Sequence, residues 1–551
     1  MTHTQGEPAA TETTHHTHFD AVIVGAGMGG IYALQHFRKL GFSVHGFEAA
    51  SDVGGVWYHN RYPGARVDVE ANYYSYVFDP ELYSSWEWKE RYPAQPEILE
   101  YLKAAADKHD VRREIEFNTR VIGAQWDPEA NQYAITTDTG GSYTARYLVM
   151  TSGQLSKPKK PTFEGLDSFK GEWVQTSAWP DRHIETKGKR IAVIGTGSSG
   201  VQAIPVLAEV ASHLYVFQRT PNYSVPAHNG PLDSKRYGEL AENVRAIWPE
   251  LLRSPTGVPL DFPTKAASEL TPEEQQARLE HSWAEGAHNF NLVFTDQGRN
   301  KETNDIVVEF VHKKIREAVD DPAVAQLLMP TDYPIGSRRL CVDTDYYKTF
   351  NRKNVELVNI KGNEIDHITE QGIVTADGNE YQVDLIVFAL GFNAFTGALD
   401  NTNIRNEKGE QPSDIWNRGP RTYLGLQTVG FPNLFVITGP GSPSVLANMI
   451  VSNVQHINFA GELLTYMRDR GFNRVEPTLE AQDAWTEHVA EVSSKLLRLN
   501  VENYMVHVNR DDGSRVFQPY VGGMHTFVAK CDEVIANDFE GFDFQQVGGT
   551  Q

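Results

Sequence analysis

The run Gly25-Ala26-Gly27-Met28-Gly29-Gly30 is echoed 170 positions later by Gly195-Thr196-Gly197-Ser198-Ser199-Gly200. Each follows a short apolar stretch, residues 21–24 and 191–194, and opens a helix-like segment. In that context small residues let a phosphate approach backbone N–H groups at a helix N-terminus. One such motif is weak evidence. Two of them, each with a diagnostic residue after its second strand, require a chain built around two dinucleotides.

Those diagnostic residues tell the two occupants apart. Glu48 ends the second strand of the first unit, 23 positions after Gly25, where a carboxylate accepts hydrogen bonds from ribose hydroxyls. That suits FAD or NAD. The stretch Asp52-Val53-Gly54-Gly55-Val56-Trp57 favours the flavin: paired glycines admit a bulky cofactor and Trp57 offers an aromatic wall. In the second unit Arg219 stands 24 positions after Gly195 and is followed by Thr220. A cation there suits a 2′-phosphate and favours NADPH over NADH. The expected FAD contacts are Gly25, Gly27, Gly30, Glu48, Gly55 and Trp57; those for NADPH are Gly195, Gly197, Gly200, Arg219 and Thr220.

With 551 residues, 40% of them hydrophobic and 22% charged, the chain can bury a large core and divides into more than one domain. No apolar run approaches the roughly 18 residues that cross a bilayer. Residues 1–18 are read as a disordered tail, since they lack the apolar region of a signal peptide, and His15, His16 and His18 within it are not read as a metal site. Cys341 and Cys531 form no CxxC pair, disulfide framework or zinc pattern, which suits a reducing cytoplasm. A net charge of −22 argues against nucleic acid as a partner.

The predicted class is α/β, with two Rossmann-like dinucleotide-binding domains, one for FAD and one for NADP, and a helical insertion in the second. Residues 19–156 form the first part of the FAD domain, with a helix over 30–40 and a strand over 42–48. The linker is Lys157-Pro158-Lys159-Lys160-Pro161. Residues 157–390 form the NADP domain, whose α/β pattern opens at Lys189 and whose insertion covers about 232–330. There Thr271-Pro272-Glu273-Glu274 is a helix start signal, and Ile306, Val307, Phe310, Val311 and Ile315 predict a helix over 302–319. Residues 391–551 return to the first domain, with helices near 455–468 and 480–497.

The chain resembles the type I Baeyer–Villiger monooxygenases, within the flavin-containing monooxygenase superfamily. The motifs are both glycine runs, Gly54-Gly55-Val56-Trp57-Tyr58, Arg61-Tyr62-Pro63-Gly64-Ala65-Arg66-Val67-Asp68, Trp179-Pro180 and Ala389-Leu390-Gly391-Phe392-Asn393. Gly439-Pro440-Gly441-Ser442-Pro443-Ser444 is closest to the phenylacetone and steroid monooxygenase branch. The family fingerprint Phe-x-Gly-x-x-x-His-Thr-x-x-Trp-Pro is met by Phe169, Gly171, Thr176, Trp179 and Pro180, but Gln175 replaces the histidine. A Trp-Tyr-x-Gly-Ala-Asn-x-Pro-Gly-Lys-like loop is replaced by residues 504–513, beginning Tyr504-Met505-Val506-His507. The resemblance implies retained chemistry with altered coupling between the domains and to NADPH.

It further implies that one oxygen of O2 is inserted beside a ketone carbonyl by way of a flavin C4a-peroxide, giving an ester or lactone. It maps the catalytic arginine to Arg339 and its carboxylate to Asp68, and places Arg338 with Arg219 at the 2′-phosphate. A fixed guanidinium stabilises an anionic oxidant and the adduct that follows. The substrate region is expected around Tyr62, Gln154, Leu155 and the loop from Ser442 to Met449, whose Val445, Leu446 and Met449 suggest a hydrophobic ketone. Alternatives are an N- or S-oxidising flavin monooxygenase, an uncoupled NADPH oxidase and a non-catalytic redox sensor.

Overall fold

The computed structural model describes residues 17–416, 418–509 and 512–548. The fold is organised around two sheets. The first has eight strands in the order Ile404–Arg405, Val121–Asp127, Gln132–Thr137, Ser142–Met150, Thr17–Val24, Val44–Phe47 and Ile115–Glu116, with Leu434–Val436 also pairing on Ser142–Met150. Thr17–Val24 is parallel to both of its neighbours, and Val22 and Ile23 are fully buried. That two-sided burial is why the strand reads as a continuous apolar run. The strand begins at Thr17, so Thr17 and His18 are strand residues rather than tail, and the remaining tail with His15 and His16 lies outside the described residues.

The second sheet is wholly parallel, in the order Val355–Asn359, His213–Gln218, Arg190–Ile194, Leu385–Phe388, Glu172–Gln175. Its α/β pattern opens earlier than Lys189: Glu172–Gln175 is already an edge strand, with Val174 opposite Val387. The four-residue length and alternating burial of this strand left no strong periodic signal. Gln175 thus ends a strand, and its Nε2 donates to Lys159 O at 2.8 Å, tying the linker to the sheet.

In the chain the predicted helical insertion lies between His213–Gln218 and the edge strand Val355–Asn359, with α-helices at Ser234–Glu242, Val244–Arg253, Pro272–Glu285, Lys301–Ala318 and Pro322–Leu328. Pro272–Glu285 opens with the capping box read from sequence: Thr271 Oγ1 accepts from Glu274 N, and Glu274 Oε2 from Thr271 N. Beyond the second sheet, Met449–Arg470 packs on the first glycine helix, Met28–Lys39, and ends at Gly471 with φ +78°. A left-handed glycine there closes the helix.

Candidate active site

Each glycine run is a sharp turn from a strand into a helix. Gly25 has φ +103° and Gly195 φ +110°, and a Cβ on Gly30 or Gly200 would lie 1.9 or 2.1 Å from the carbonyl oxygen of Gly25 or Gly195. Any side chain there would break the turn. Gly27 and Gly197 cap the helices Met28–Lys39 and Ser198–Val210, so the first N–H groups of each face outward. A Cβ on Gly197 would meet nothing within 4 Å, and one on Gly55, at φ +56°, would lie 2.9 Å from Gly27 Cα. Bare backbone and open helix ends are the features a dinucleotide pyrophosphate needs, and both sites fit their expected groups.

Glu48 is buried and its carboxylate is braced by the turn itself. Oε2 accepts from Ala26 N at 2.7 Å and Oε1 from Ala50 N at 2.8 Å, leaving further lone pairs for ribose hydroxyls. Trp57 is buried beside this turn and donates through Nε1 to Tyr74 OH at 3.1 Å. At the second site Arg219 is exposed at the end of its strand, and Thr220 O accepts from Thr196 Oγ1 at 3.2 Å. Arg338 lies over the Tyr333 ring at 4.7 Å, and Tyr333 OH donates to Pro221 O at 2.7 Å. Arg338 therefore sits by the segment that carries Arg219 and Thr220.

The loop of residues 62–68 is clamped onto the second glycine helix, Ser198–Val210. Tyr62 OH donates to Gln202 Oε1 at 2.7 Å, Gln202 Nε2 donates to Arg66 O at 3.0 Å, and a Cβ on Gly64 would lie 2.3 Å from Gln202 O. This clamp on the second glycine helix delivers Asp68 to Arg339, which is 271 positions away in sequence. Arg339 Nε and Nη2 donate to the two Asp68 oxygens at 2.7 and 2.8 Å, and Nη1 donates to Val445 O at 2.7 Å. Three of five guanidinium hydrogens are thus committed to fixed acceptors.

Val445 O is itself held by an uncommon backbone. Ser444 has φ +49°, and Ser444 Oγ donates to Gln154 Oε1 at 2.5 Å while Gln154 Nε2 donates to Thr438 O. A left-handed serine persists where its surroundings hold it. His288 completes the group, with Nε2 3.4 Å from Asp68 Oδ2 and 3.2 Å from Arg339 Nη2.

Asp68 and Arg339 keep 26% and 31% of their side-chain surface, and both line a cavity of about 610 Å³. Burial alone would raise the pKa of Asp68; Arg339, with His288, reverses this and holds the carboxyl well below the ordinary carboxylate range. Burial likewise opposes the charge on Arg339, and Asp68 more than restores it, raising its pKa. Both groups stay ionised across the physiological range.

The cavity wall differs in part from the sequence expectation. Val445 and Leu446 line it, whereas Tyr62, Gln154, Leu155 and Met449 do not. Tyr62 and Gln154 are struts, as above, and Leu155 is exposed. The helical insertion supplies Val258, Leu260 and Phe262, and the C-terminal segment supplies Arg498, Tyr504 and Met505. The altered loop forms a hairpin of Val506–Val508 with Arg515–Phe517; Arg510 and Asp511 lie outside the described residues. His288 and Arg498 were missed because each is a lone polar residue whose role appears only through tertiary contacts.

Residues 20–226 match the model of the flavin-binding monooxygenase-like family. A Baeyer–Villiger monooxygenase of Pseudooceanicola batsensis is 38% identical, over 92% of this chain and 93% of its own. A phenazine N-monooxygenase of Lysobacter antibioticus is 38% identical over 96% and 97%. Among solved structures, an oxidised steroid monooxygenase bound to NADP is 44% identical with a TM-score of 0.92, covering 96% of this chain and 100% of that one. OTEMO in complex with FAD and NADP is 38% identical with a TM-score of 0.92, covering 96% and 99%. The chain belongs to the flavin-dependent Baeyer–Villiger monooxygenases of this family. It is an NADPH-dependent flavoprotein monooxygenase, and its two dinucleotides are FAD and NADP.

Proposed function

We propose that this chain converts a hydrophobic ketone to an ester or lactone in the cavity beside Arg339, consuming NADPH and O2. The observation that carries this reading is the guanidinium of Arg339, locked by Asp68 and Val445 O on the wall of a cavity that also carries apolar side chains. Bound FAD, once reduced by NADPH, supplies the activated oxygen. Glu48 and the two glycine turns hold the cofactors, and Arg219, Thr220 and Arg338 select the 2′-phosphate.

Arg339 does not give up its proton, so its charge is available to every anion formed beside it. At about 4 Å and an effective dielectric near 20 one such charge is worth roughly 4 kcal/mol before desolvation. Asp68 orients the guanidinium and keeps it charged without competing for the substrate face. Among the described residues no helix is long and apolar enough to cross a membrane. The free, buried Cys341 and Cys531 support a reducing compartment, the cytoplasm.

The test is incubation of purified holoenzyme with NADPH, O2 and a mixed panel of ketones, amines and sulfides. Ester or lactone from a ketone is the expected product. N-oxide or sulfoxide alone would reassign the acceptor, and peroxide alone would make the protein an oxidase.

A further inference from the structure

We propose that Arg498 is an anion-binding subsite of the substrate cavity and selects ketones that carry a carboxylate. This rests on the ketone reading above and adds the acidic group. Five arginines line the cavity: Arg91, Arg236, Arg338, Arg339 and Arg498. Arg91 pairs with Glu70 at 2.6 Å, Arg236 reaches the same carboxylate at 4.0 Å, and Arg339 is taken by Asp68. Arg338 is stacked on Tyr333 beside the segment assigned to the cofactor phosphate. Arg338 and Arg498 are the two without a carboxylate partner among the described residues, and with Arg338 assigned to the cofactor phosphate, Arg498 is left over; Tyr504 is the ionisable group that acts on it.

Its surroundings are apolar. The guanidinium carbon lies 5.7 Å from the Phe517 ring centre, and Nη2 lies 3.8 Å from where a Cβ on Gly336 would stand. Phe517 belongs to a cluster with Val445, Leu496 and Met505, so the wall that holds Arg498 is continuous with the one that meets Arg339 through Val445. Arg498 is half-buried, and burial lowers its pKa from the ordinary arginine value, the sign of a charge partly withdrawn from water. A buried cation is costly unless paired. Here the missing counter-charge is left to the occupant of the cavity.

The spacing suits one small molecule. Gly336, against which Arg498 packs, is three residues before Arg339, at most about 11 Å along the chain. Tyr504 is a second link, since its phenol responds to the charges of both Arg339 and Arg498. A ketone with its carbonyl at Arg339, an apolar body against Val445 and Met505 and a carboxylate at Arg498 satisfies all three walls. In a chain with net charge −22 such a local cation is needed to admit an acid.

The probes are 4-oxo-4-phenylbutanoate and its methyl ester. Calorimetric titration into the oxidised FAD and NADP⁺ complex should show the wild type binding the acid more tightly than the ester; the reverse order would overturn the proposal. In Arg498→Met the acid-to-ester ratio of Kd, and of KM where turnover occurs, should rise about 10- to 100-fold, as expected for loss of a charge-assisted hydrogen bond. Arg498→Lys, which keeps the charge, should recover part of the preference. An unchanged ratio would remove Arg498 from substrate selection. An equal rise in NADP⁺ Kd would reassign its charge to the cofactor phosphates and also overturn the proposal. If the acid binds more tightly but neither compound is oxygenated, the ketone reading fails and the anion site stands; if both are oxygenated with no acid preference, the reverse holds.

Discussion

Replacing Asp68 by Asn isolates what the buried ion pair does for Arg339. The amide keeps the shape and one acceptor, so one of the bonds now at 2.7 and 2.8 Å survives, while the other becomes N–H facing N–H. Losing one charge-assisted bond costs about 1.5–3 kcal/mol, and loss of the countercharge adds to it, giving roughly 2–4 kcal/mol. If that energy holds the guanidinium in its working position, ester-forming kcat falls roughly 30- to 1000-fold. NADPH oxidation should fall less, because the work assigned to Asp68 is to hold Arg339 beside the substrate, and the difference should appear as peroxide. The assay compares ester formed with NADPH consumed in FAD-loaded protein. A kcat within about threefold of wild type with full FAD occupancy would refute the reasoning. The pH dependence has a definite sign. Asp68 has a depressed pKa in the fold, so the pairing contributes above its unfolded value near 4 and is lost as pH falls below that. A wild-type rate profile between about pH 5 and 9 should therefore carry no step from Asp68.

Gly30→Ala should abolish FAD retention, because its Cβ would lie 1.9 Å from Gly25 O; flavin absorbance after gel filtration reads the loss. Arg219→Ala should raise KM for NADPH about 10- to 100-fold and that for NADH far less, and an equal effect on both would remove Arg219 from the 2′-phosphate. Gln175→His should change the coupling of NADPH oxidation to ester formation; unchanged coupling and flavin reduction would exclude a role for this position in joining the domains. Asp343 is buried, which raises its pKa to about 6 against hydrogen bonds from Ser224 and Tyr346. The neutral form fits the fold, so this stability is fully present below about pH 4 and lost as pH rises through 6, to the extent of about 3 kcal/mol. Asp343→Asn should flatten the fall in Tm between about pH 4 and 6.

Both dinucleotide turns were legible because their requirements are local: Gly25 and Gly30, or Gly195 and Gly200, meet within one turn, and spacing alone encodes that contact. Strand ends near Glu48 and Arg219 followed from the same βαβ repeat. The Asp68–Arg339 pair was accessible only through family resemblance, since nothing local relates residues 271 positions apart. Gln154 was read as cavity wall because it adjoins a loop; its bonds to Thr438 O and Ser444 Oγ make it a brace instead. His288 and Arg498 left no pattern at all. Each is defined by the company that tertiary packing brings, which is why the cavity wall was less legible than the cofactor cradles.

The strand Leu434–Val436 lies against Leu148–Met150 in the first sheet, although the entire second sheet, residues 172–388, intervenes in the chain. During synthesis the second sheet therefore has all its strands available while the first still presents an unpaired edge at Leu148–Met150. Closing that edge must wait for a segment nearly 300 residues downstream, a contact of high sequence separation and slow formation. The flavin cradle is thus the first to be translated and the last to be finished, and cofactor loading becomes a late checkpoint on a nearly complete chain.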